Sequence, residues 1–517
     1  AFLLALLAVF ILLSAAYVGQ RVANSWLIGD ALNLTRASQI SLEQGTISPT
    51  AYVYRFGFAY PSLNVFLAHL TGLSIETIQT YLQPFLVVLL VPVAYIAFAR
   101  LAANRLAALF ATLLLFLQAD FFFEVTRSSH AKLTWLLALT MLYILASSFE
   151  RIQSGSSPIW WILLFYPVAL ALIATNSFFA SSYILGIALA FVGLQLLRWL
   201  PITRDLTRPP GFRRLLYITL SGTILVFLFI FYLYPPARLQ FITLRTTVDR
   251  LAALLLGLEN IGFSPYAYVT NTWLSVSTYI TLTLLNYLVV VVSFIAWFRL
   301  AFLIVVKRQG MPAGRYLLWL LYPSFALILA ISVALDFSGI LSQNLQVRLF
   351  PNLMVVAIPL AALLVVDLLT AIRARNRVSF SVASAVLAIV VIFFAGAGLL
   401  KVTNDPLLSN RWLFYTRSEQ LAMDWADERL VDTAVWTGLE RRLELYADFF
   451  TEWAWHGVEP LPGRHTQEER HFLLSDIIRA HAARVGATLP DVRYQQQVYD
   501  NGGAQLYYRR PATPYQR

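Results

Sequence analysis

Cysteine is absent from all 517 residues, so the fold can hold no disulfide and no thiolate metal site. Lysine is nearly absent: Lys132, Lys307 and Lys401 stand alone, and arginine carries the rest of the positive charge. Charged residues make up only 13% of the chain, against roughly a quarter in a soluble domain. With 59% hydrophobic residues, this composition excludes an ordinary soluble protein. It indicates an all-α polytopic membrane protein. Histidine is scarce as well. Four of the six, His456, His465, His471 and His481, lie in the tail without zinc-ligand spacing. The first residue is Ala rather than Met, so a short N-terminal piece is expected to be missing. Ala1 to Val18 is long enough to span and has no convincing cleavage site, so it reads as a retained helix.

The formal net charge of +11 divides unevenly. Residues 1–400 hold 24 Lys+Arg against 11 Asp+Glu, and residues 401–517 hold 14 against 16. The basic excess belongs to the membrane part, where cytoplasmic anchoring accounts for it and no nucleic-acid partner is called for.

A spanning helix needs about 20 apolar residues. Eleven segments qualify, near 1–18, 79–99, 105–119, 131–149, 158–175, 178–197, 215–234, 276–298, 315–335, 350–370 and 380–400. The third is short, and the fifth and sixth are separated only by Asn176 and Ser177, so ten or twelve also fit. With a cytoplasmic N-terminus, the short inner loops carry 15 of the basic residues and three acids. The longer outer loops carry nine and eight. Eleven spans then put everything after Lys401 outside. Two domains follow: 1–400 in the membrane, with the outer loop 19–78, and 401–517 as a small extracytoplasmic α/β domain. In the tail, Arg417 to Leu430 and Gln467 to Val485 have helical periodicity, and Thr433 to Thr437 reads as a short strand. Gln495 to Arg510 reads as a hairpin turning at Asn501-Gly502-Gly503.

The outer loops hold the candidate chemistry. Asp30 precedes an amphipathic stretch, Ala31 to Gln44, closed by Gly45. Capping and catalysis are both open to it. An aromatic run follows, Tyr52, Tyr54, Phe56, Phe58 and Tyr60, ending in Pro61. The next outer loop places Asp120, Glu124, Arg127 and His130 within eleven residues, beside three phenylalanines. Charges at that depth cost a few kcal/mol unless they face one another or a wet cavity. Glu124 and His130 rank ahead of Asp120 as functional groups. Arg348, in Gln346-Val-Arg-Leu-Phe-Pro351, is the sole basic residue of its loop, and a guanidinium suits a phosphate at headgroup level. Arg238 to Leu258, with Arg245, Asp249 and Arg250 among leucines, reads as an amphipathic helix on the outer surface.

These elements resemble those of the GT-C-type membrane glycosyltransferases, with a mannosyltransferase- or aminoarabinose-transferase-like layout. The matching residues are Asp30 with the helix after it, Phe56-Gly-Phe-Ala-Tyr60-Pro61, Glu124 and His130, and Arg348-Leu-Phe350-Pro351. The tail has no WWD-type acceptor motif, and the second loop has no clear acid pair. The resemblance implies a sugar carried on a polyprenyl phosphate and inverting transfer on the extracytoplasmic face of the plasma membrane. It gives Asp30 the role of catalytic base. It gives Glu124, Arg127, His130 and Arg348 phosphate or substrate binding, and places Tyr54, Tyr60 and Arg238 around an acceptor or lipid cavity. It makes no cofactor certain. It leaves room for a divalent cation, Mg or Mn, on Asp30, Glu124 and His130, and for membership of a membrane protein complex. Two other classes remain open: a transporter or flippase of lipid-linked material, and a non-catalytic subunit that keeps the fold. Polar groups gathered at one face, with few ionisable residues inside the spans, favour chemistry over passage.

Overall fold

A computed structural model describes residues 9–16, 30–46, 56–127, 129–197, 212–238, 276–337, 345–402, 416–430, 435–436, 455–456, 471–485 and 488–508, with a few isolated residues between 245 and 256. Residues 9–16 are helical. α1 (Asp30–Gln44) is the expected amphipathic helix, and Gly45 follows it in the left-handed region at φ 63°. α2 (Ala59–Thr71) ends on Gly72, also left-handed, whose N–H donates to the Ala68 carbonyl. The next span starts irregularly, with a π turn at Ile78–Leu82 and a 3-10 stretch at Gln83–Leu89 before α3 (Leu90–Ala102).

Asn104 caps α4 (Arg105–Leu117), accepting from the backbone of Leu106 and Ala107. α5 (Ala119–Thr126) bends away from α4 by 74°, so the sequence's short third segment is a broken apolar pair. α6 (Ala131–Gln153) returns through the bundle. α7 (Ile159–Thr175) and α8 (Ser177–Leu197) are separate helices broken at Asn176, and α9 (Phe212–Leu228) ends in a π turn at Phe229–Leu233. α10 (Val276–Ala301), α11 (Ala313–Phe337), α12 (Leu345–Arg375) and α13 (Arg377–Val402) complete the membrane part. Among the described residues, five helices are long and apolar enough to cross a membrane, and the α4–α5 pair makes a sixth if counted as one. Four more apolar helices are shorter. This is an integral membrane protein.

α12 is the central helix. Residues 352–364 are buried without interruption, and it packs against α4, α10 and α11. α13 is equally apolar but lies at the edge, exposing Val382, Val386 and Ile389, as a lipid-facing helix would. Arginines tie one end of the bundle. Arg100 bridges Glu150 at 2.5 Å, Arg299 bridges Asp367 at 2.9 Å, and Arg315 Nε donates to the Ala102 carbonyl at 2.8 Å.

In the tail, α14 (Arg417–Arg429) begins with a capping box between Thr416 and Glu419. The strands are β1 (Val435–Trp436), β2 (Trp455–His456), β3 (His471–Ser475), β4 (Gln496–Asp500) and β5 (Ala504–Tyr508), in the order β2-β1-β3-β5-β4. The hairpin and the short first strand stand where the sequence put them. The helix expected over Gln467 to Val485 does not. His471–Ser475 is a fully buried strand, and only α15 (Asp476–Val485) is helical. The run His-Phe-Leu-Leu-Ser is apolar on both faces, which periodicity alone cannot separate from a buried helix. Ser475 then starts α15 by accepting from the Ile478 N–H at 3.1 Å.

Candidate functional site at the Asn176 helix break

Asp30 is the first residue of α1, and its side chain lies outside the described residues, as do Tyr52, Tyr54, Arg250 and most of Arg238 to Leu258. The helix it begins is fixed one turn further on. Leu34 is buried with Tyr60, and Phe56 and Leu133 pack against them. One turn of helix is about 5.4 Å, which sets how far the Asp30 backbone stands from that cluster.

Tyr60 is a wedge rather than a cavity wall. It is fully buried, and its hydroxyl donates to Gln79 Oε1 at 2.9 Å. Burial pushes its phenol well above the usual value, so it stays a donor. Beside it, Gln83 Nε2 donates to Asn64 Oδ1 at 2.6 Å, and Asn64 Nδ2 donates to Ser38 Oγ at 3.3 Å. This polar ladder pins α1 and α2 to the irregular start of the second span.

Three sequence-distant segments meet at the break between α7 and α8. The Phe56 carbonyl accepts from both Ser177 N and Ser177 Oγ, each at 2.7 Å. Gly57 lies directly on the end of α7, where an added Cβ would sit 2.8 Å from the Thr175 carbonyl and closer still to that of Ala174. His130 Nε2 stands 2.8 Å from Asn176 Nδ2. Arg348 Cζ lies 5.8 Å from the ring centres of Phe56 and Phe178 alike, and those two rings meet edge-on at 6.2 Å. One turn beyond Arg348, Asn352 Nδ2 donates to Ser182 Oγ on α8 at 2.7 Å.

Arg348 is exposed and, among the described residues, has no carboxylate partner. Its guanidinium is therefore oriented by two aromatic faces and neutralised by nothing described, which suits an incoming anion. Asp336 holds the start of its helix. This fully buried carboxylate accepts from Leu345 N at 2.9 Å and Gln346 N at 2.7 Å.

The second-loop residues are engaged differently. Glu124 pairs with Arg127 at 2.5 Å, and Arg127 lies over Phe123 at 5.3 Å. Lys132, only 2% exposed, donates to the carbonyls of Arg127 at 2.8 Å and Ser129 at 3.0 Å, and sits over the Tyr60 ring at 5.7 Å. It clamps the turn that carries His130. Asp120 faces elsewhere, paired with Lys401 on α13 and accepting from Asn286 Nδ2 on α10 at 2.8 Å. Arg238 is exposed and donates to the Phe231 carbonyl, while Tyr234, four residues before it, packs on Phe58 at 5.4 Å.

Among the described residues no three His, Asp or Glu side chains converge as a metal site. Glu124 faces the Arg127 guanidinium and His130 Nε2 faces the Asn176 amide, while the side chain of Asp30, the third candidate ligand, lies outside the described residues. Sequence reasoning singled out His130 and Arg348 but missed Asn176, Ser177 and Asp336. Its one available signal was the polar pair interrupting two apolar runs.

No protein-family model matches the chain, and no curated protein does. Solved structures do. The oligosaccharyltransferase of Archaeoglobus fulgidus, tethered to an acceptor peptide with the NVT sequon, aligns at TM-score 0.55 and 12% identity, over 92% of this chain and 69% of that one. AglB from Archaeoglobus fulgidus, in complex with an inhibitory peptide and a dolichol-phosphate, aligns at TM-score 0.54 and 11% identity, over 92% and 69%. ArnT from Cupriavidus metallidurans in the apo state aligns at TM-score 0.50 and 12% identity, over 98% and 97%. The chain shares the fold of these structures, the GT-C fold.

Proposed function

We propose that the protein moves a sugar from a polyprenyl-phosphate donor to an acceptor at the extracytoplasmic membrane face, with inversion. One observation carries this reading: Phe56, His130 and Arg348, from three distant segments, meet on the Asn176–Ser177 break. The donor class is supported by the dolichol-phosphate bound to AglB, which shares the fold.

In this reading the acceptor hydroxyl oxygen attacks the anomeric carbon opposite the phosphate. Asp30 takes the hydroxyl proton, and the bond from carbon to phosphate oxygen breaks with its electron pair leaving on the phosphate. Arg348 stabilises the growing negative charge, because its guanidinium is held in place before the charge develops. The turn holding Glu124, Arg127 and His130 binds donor or acceptor.

Orientation belongs to the same proposal. His130, at the start of α6, and Glu150, near its end, are 20 residues apart, about 30 Å of helix, which matches the hydrocarbon thickness. On α12, Arg348 and Asp367 are separated almost as far. Arg100 and Arg299 thus mark one face, and the site marks the other. We assign eleven crossings, a cytoplasmic N-terminus, and a tail from 401 that forms its own extracytoplasmic domain.

The test is transfer from polyprenyl-phosphate-linked hexose or pentose by the purified chain in liposomes. Asp30→Asn should lower turnover by about 10² to 10⁴ while the protein stays folded. Full turnover in Asp30→Asn removes Asp30 as base. Absence of transfer from every such donor removes the reading.

A further inference from the structure

Asn176 stands alone between α7 and α8, and both ends of its amide are in use. Oδ1 accepts from the Phe179 N–H at 3.1 Å, which caps the first turn of α8. Turning the amide over would set an NH2 group against that N–H, leaving two donors face to face. The oxygen is therefore fixed toward Phe179, and the NH2 group is fixed toward His130 Nε2, 2.8 Å away. A nitrogen facing a donor must offer its lone pair, so the ring proton sits on Nδ1.

We propose that Asn176 is a positioning residue that holds His130 as the neutral Nδ1–H tautomer. His130 then serves the site as an oriented, uncharged hydrogen-bonding ring. It is neither a cationic phosphate clamp nor a ligand through Nε2. This deepens the glycosyl-transfer reading by dividing the labour: the positive charge offered to the donor phosphate comes from Arg348, and His130 contributes direction. The role assigned to His130 rests on that reading, whereas the tautomer does not.

The charged and titratable groups around the ring fit this division. From α5 and the turn after it come Glu124 and Arg127, already paired. From α6 comes Lys132, bound to the Arg127 and Ser129 carbonyls and lying over Tyr60 of α2. From α12 comes Arg348, 5.8 Å from the ring centre of Phe178. The Arg127 guanidinium already borders the turn, and an imidazolium would add a second positive charge there beside a fixed N–H donor. A neutral ring avoids both costs.

The test uses the full chain in nanodiscs, labelled with 15N and 13C histidine, with the His130 signals assigned by their loss in His130→Gln. Nuclear magnetic resonance distinguishes Nδ1–H from Nε2–H imidazole directly. The wild-type ring should be Nδ1–H at neutral pH. Asn176→Asp keeps the α8 cap, because Asp caps as well as Asn, but presents an acceptor, so Nε2 should become protonated. An Nε2–H signal in the wild type, or an unchanged tautomer in Asn176→Asp, overturns the proposal. Binding of dolichol phosphate supplies the second arm. His130→Lys, which carries a charge and cannot accept from Asn176, should bind about tenfold or more weakly than His130→Gln, which can still accept from Asn176 and donate elsewhere, the worth of a hydrogen bond. Tighter binding by His130→Lys than by His130→Gln would make the ring's role cationic and overturn the division of labour. If the tautomer behaves as stated and neither wild type nor variants bind dolichol phosphate, the donor reading fails and the Asn176 assignment stands.

Discussion

Arg348 is held by rings rather than by a carboxylate, which makes its planarity as important as its charge. Arg348→Lys keeps the charge but loses the planar guanidinium, whose Cζ lies 5.8 Å from the ring centres of both Phe56 and Phe178. Dolichol-phosphate binding should weaken about tenfold, a loss of about 1.4 kcal/mol, with thermal unfolding unchanged; equal binding would mean that charge alone suffices. Gly57 makes a second residue-scale prediction. A Cβ there runs into the last carbonyls of α7, so Gly57→Ala should cost about 1–3 kcal/mol, seen as a lower Tm. At this scale the sequence was partly legible. Arg348 and His130 could be picked out because charged groups at the membrane face need a reason. Asn176 and Ser177 could not, because their partners Phe56 and His130 are 121 and 46 residues away. Tyr60 was readable as an aromatic of the first loop but not as a buried wedge, since its partner Gln79 belongs to the next span.

The helix that carries Arg348 is fixed at its start by a polar group of the preceding helix. For α12 that group is Asp336, whose two oxygens accept the first backbone N–H groups of the helix. Asp336→Ala leaves those donors unmet in a buried place and should cost about 1.5–3 kcal/mol, as for hydrogen bonds to a charged group. Because Arg348 lies one turn away, donor binding should fall with it, and calorimetry with binding on the same sample checks both. The hairpin β4–β5 gives a pH prediction. Arg493 bonds the Asp491 carboxyl and holds it at about 2, below the usual 3.8, and the Gly502 N–H lowers that of Asp500. Carboxyls depressed by folding stabilise above their unfolded value, and that contribution is lost as pH falls through the folded one. Thermal stability should therefore drop between about pH 4 and pH 2, and by less in Asp491→Asn. Element type was legible wherever length and apolar content agreed, as in α6 and α10 to α13. It failed at His471–Ser475, where a five-residue apolar run fits a buried strand as well as a helix.

The whole molecule pairs an arginine-tied face with a face where first-loop, second-loop and late-helix residues meet. That polarity was visible in the loop charges, and the lengths of α6 and α12 give it a physical span. The layout of the GT-C fold was legible as well, while the internal break that organises the site was not. With the assigned orientation, cysteines introduced into the tail should react with impermeant reagents from outside and stay unlabelled from the cytoplasmic side of intact vesicles. The most direct measurement is an experimental structure of the chain bound to dolichol phosphate. The account predicts phosphate oxygens within hydrogen-bonding distance of the Arg348 guanidinium, beside Phe56, Phe178 and His130, with the Asp30 side chain facing the same space. A phosphate bound at the opposite face, among Arg100, Arg299 and Arg315, or an Asp30 side chain turned away from Arg348, would contradict it.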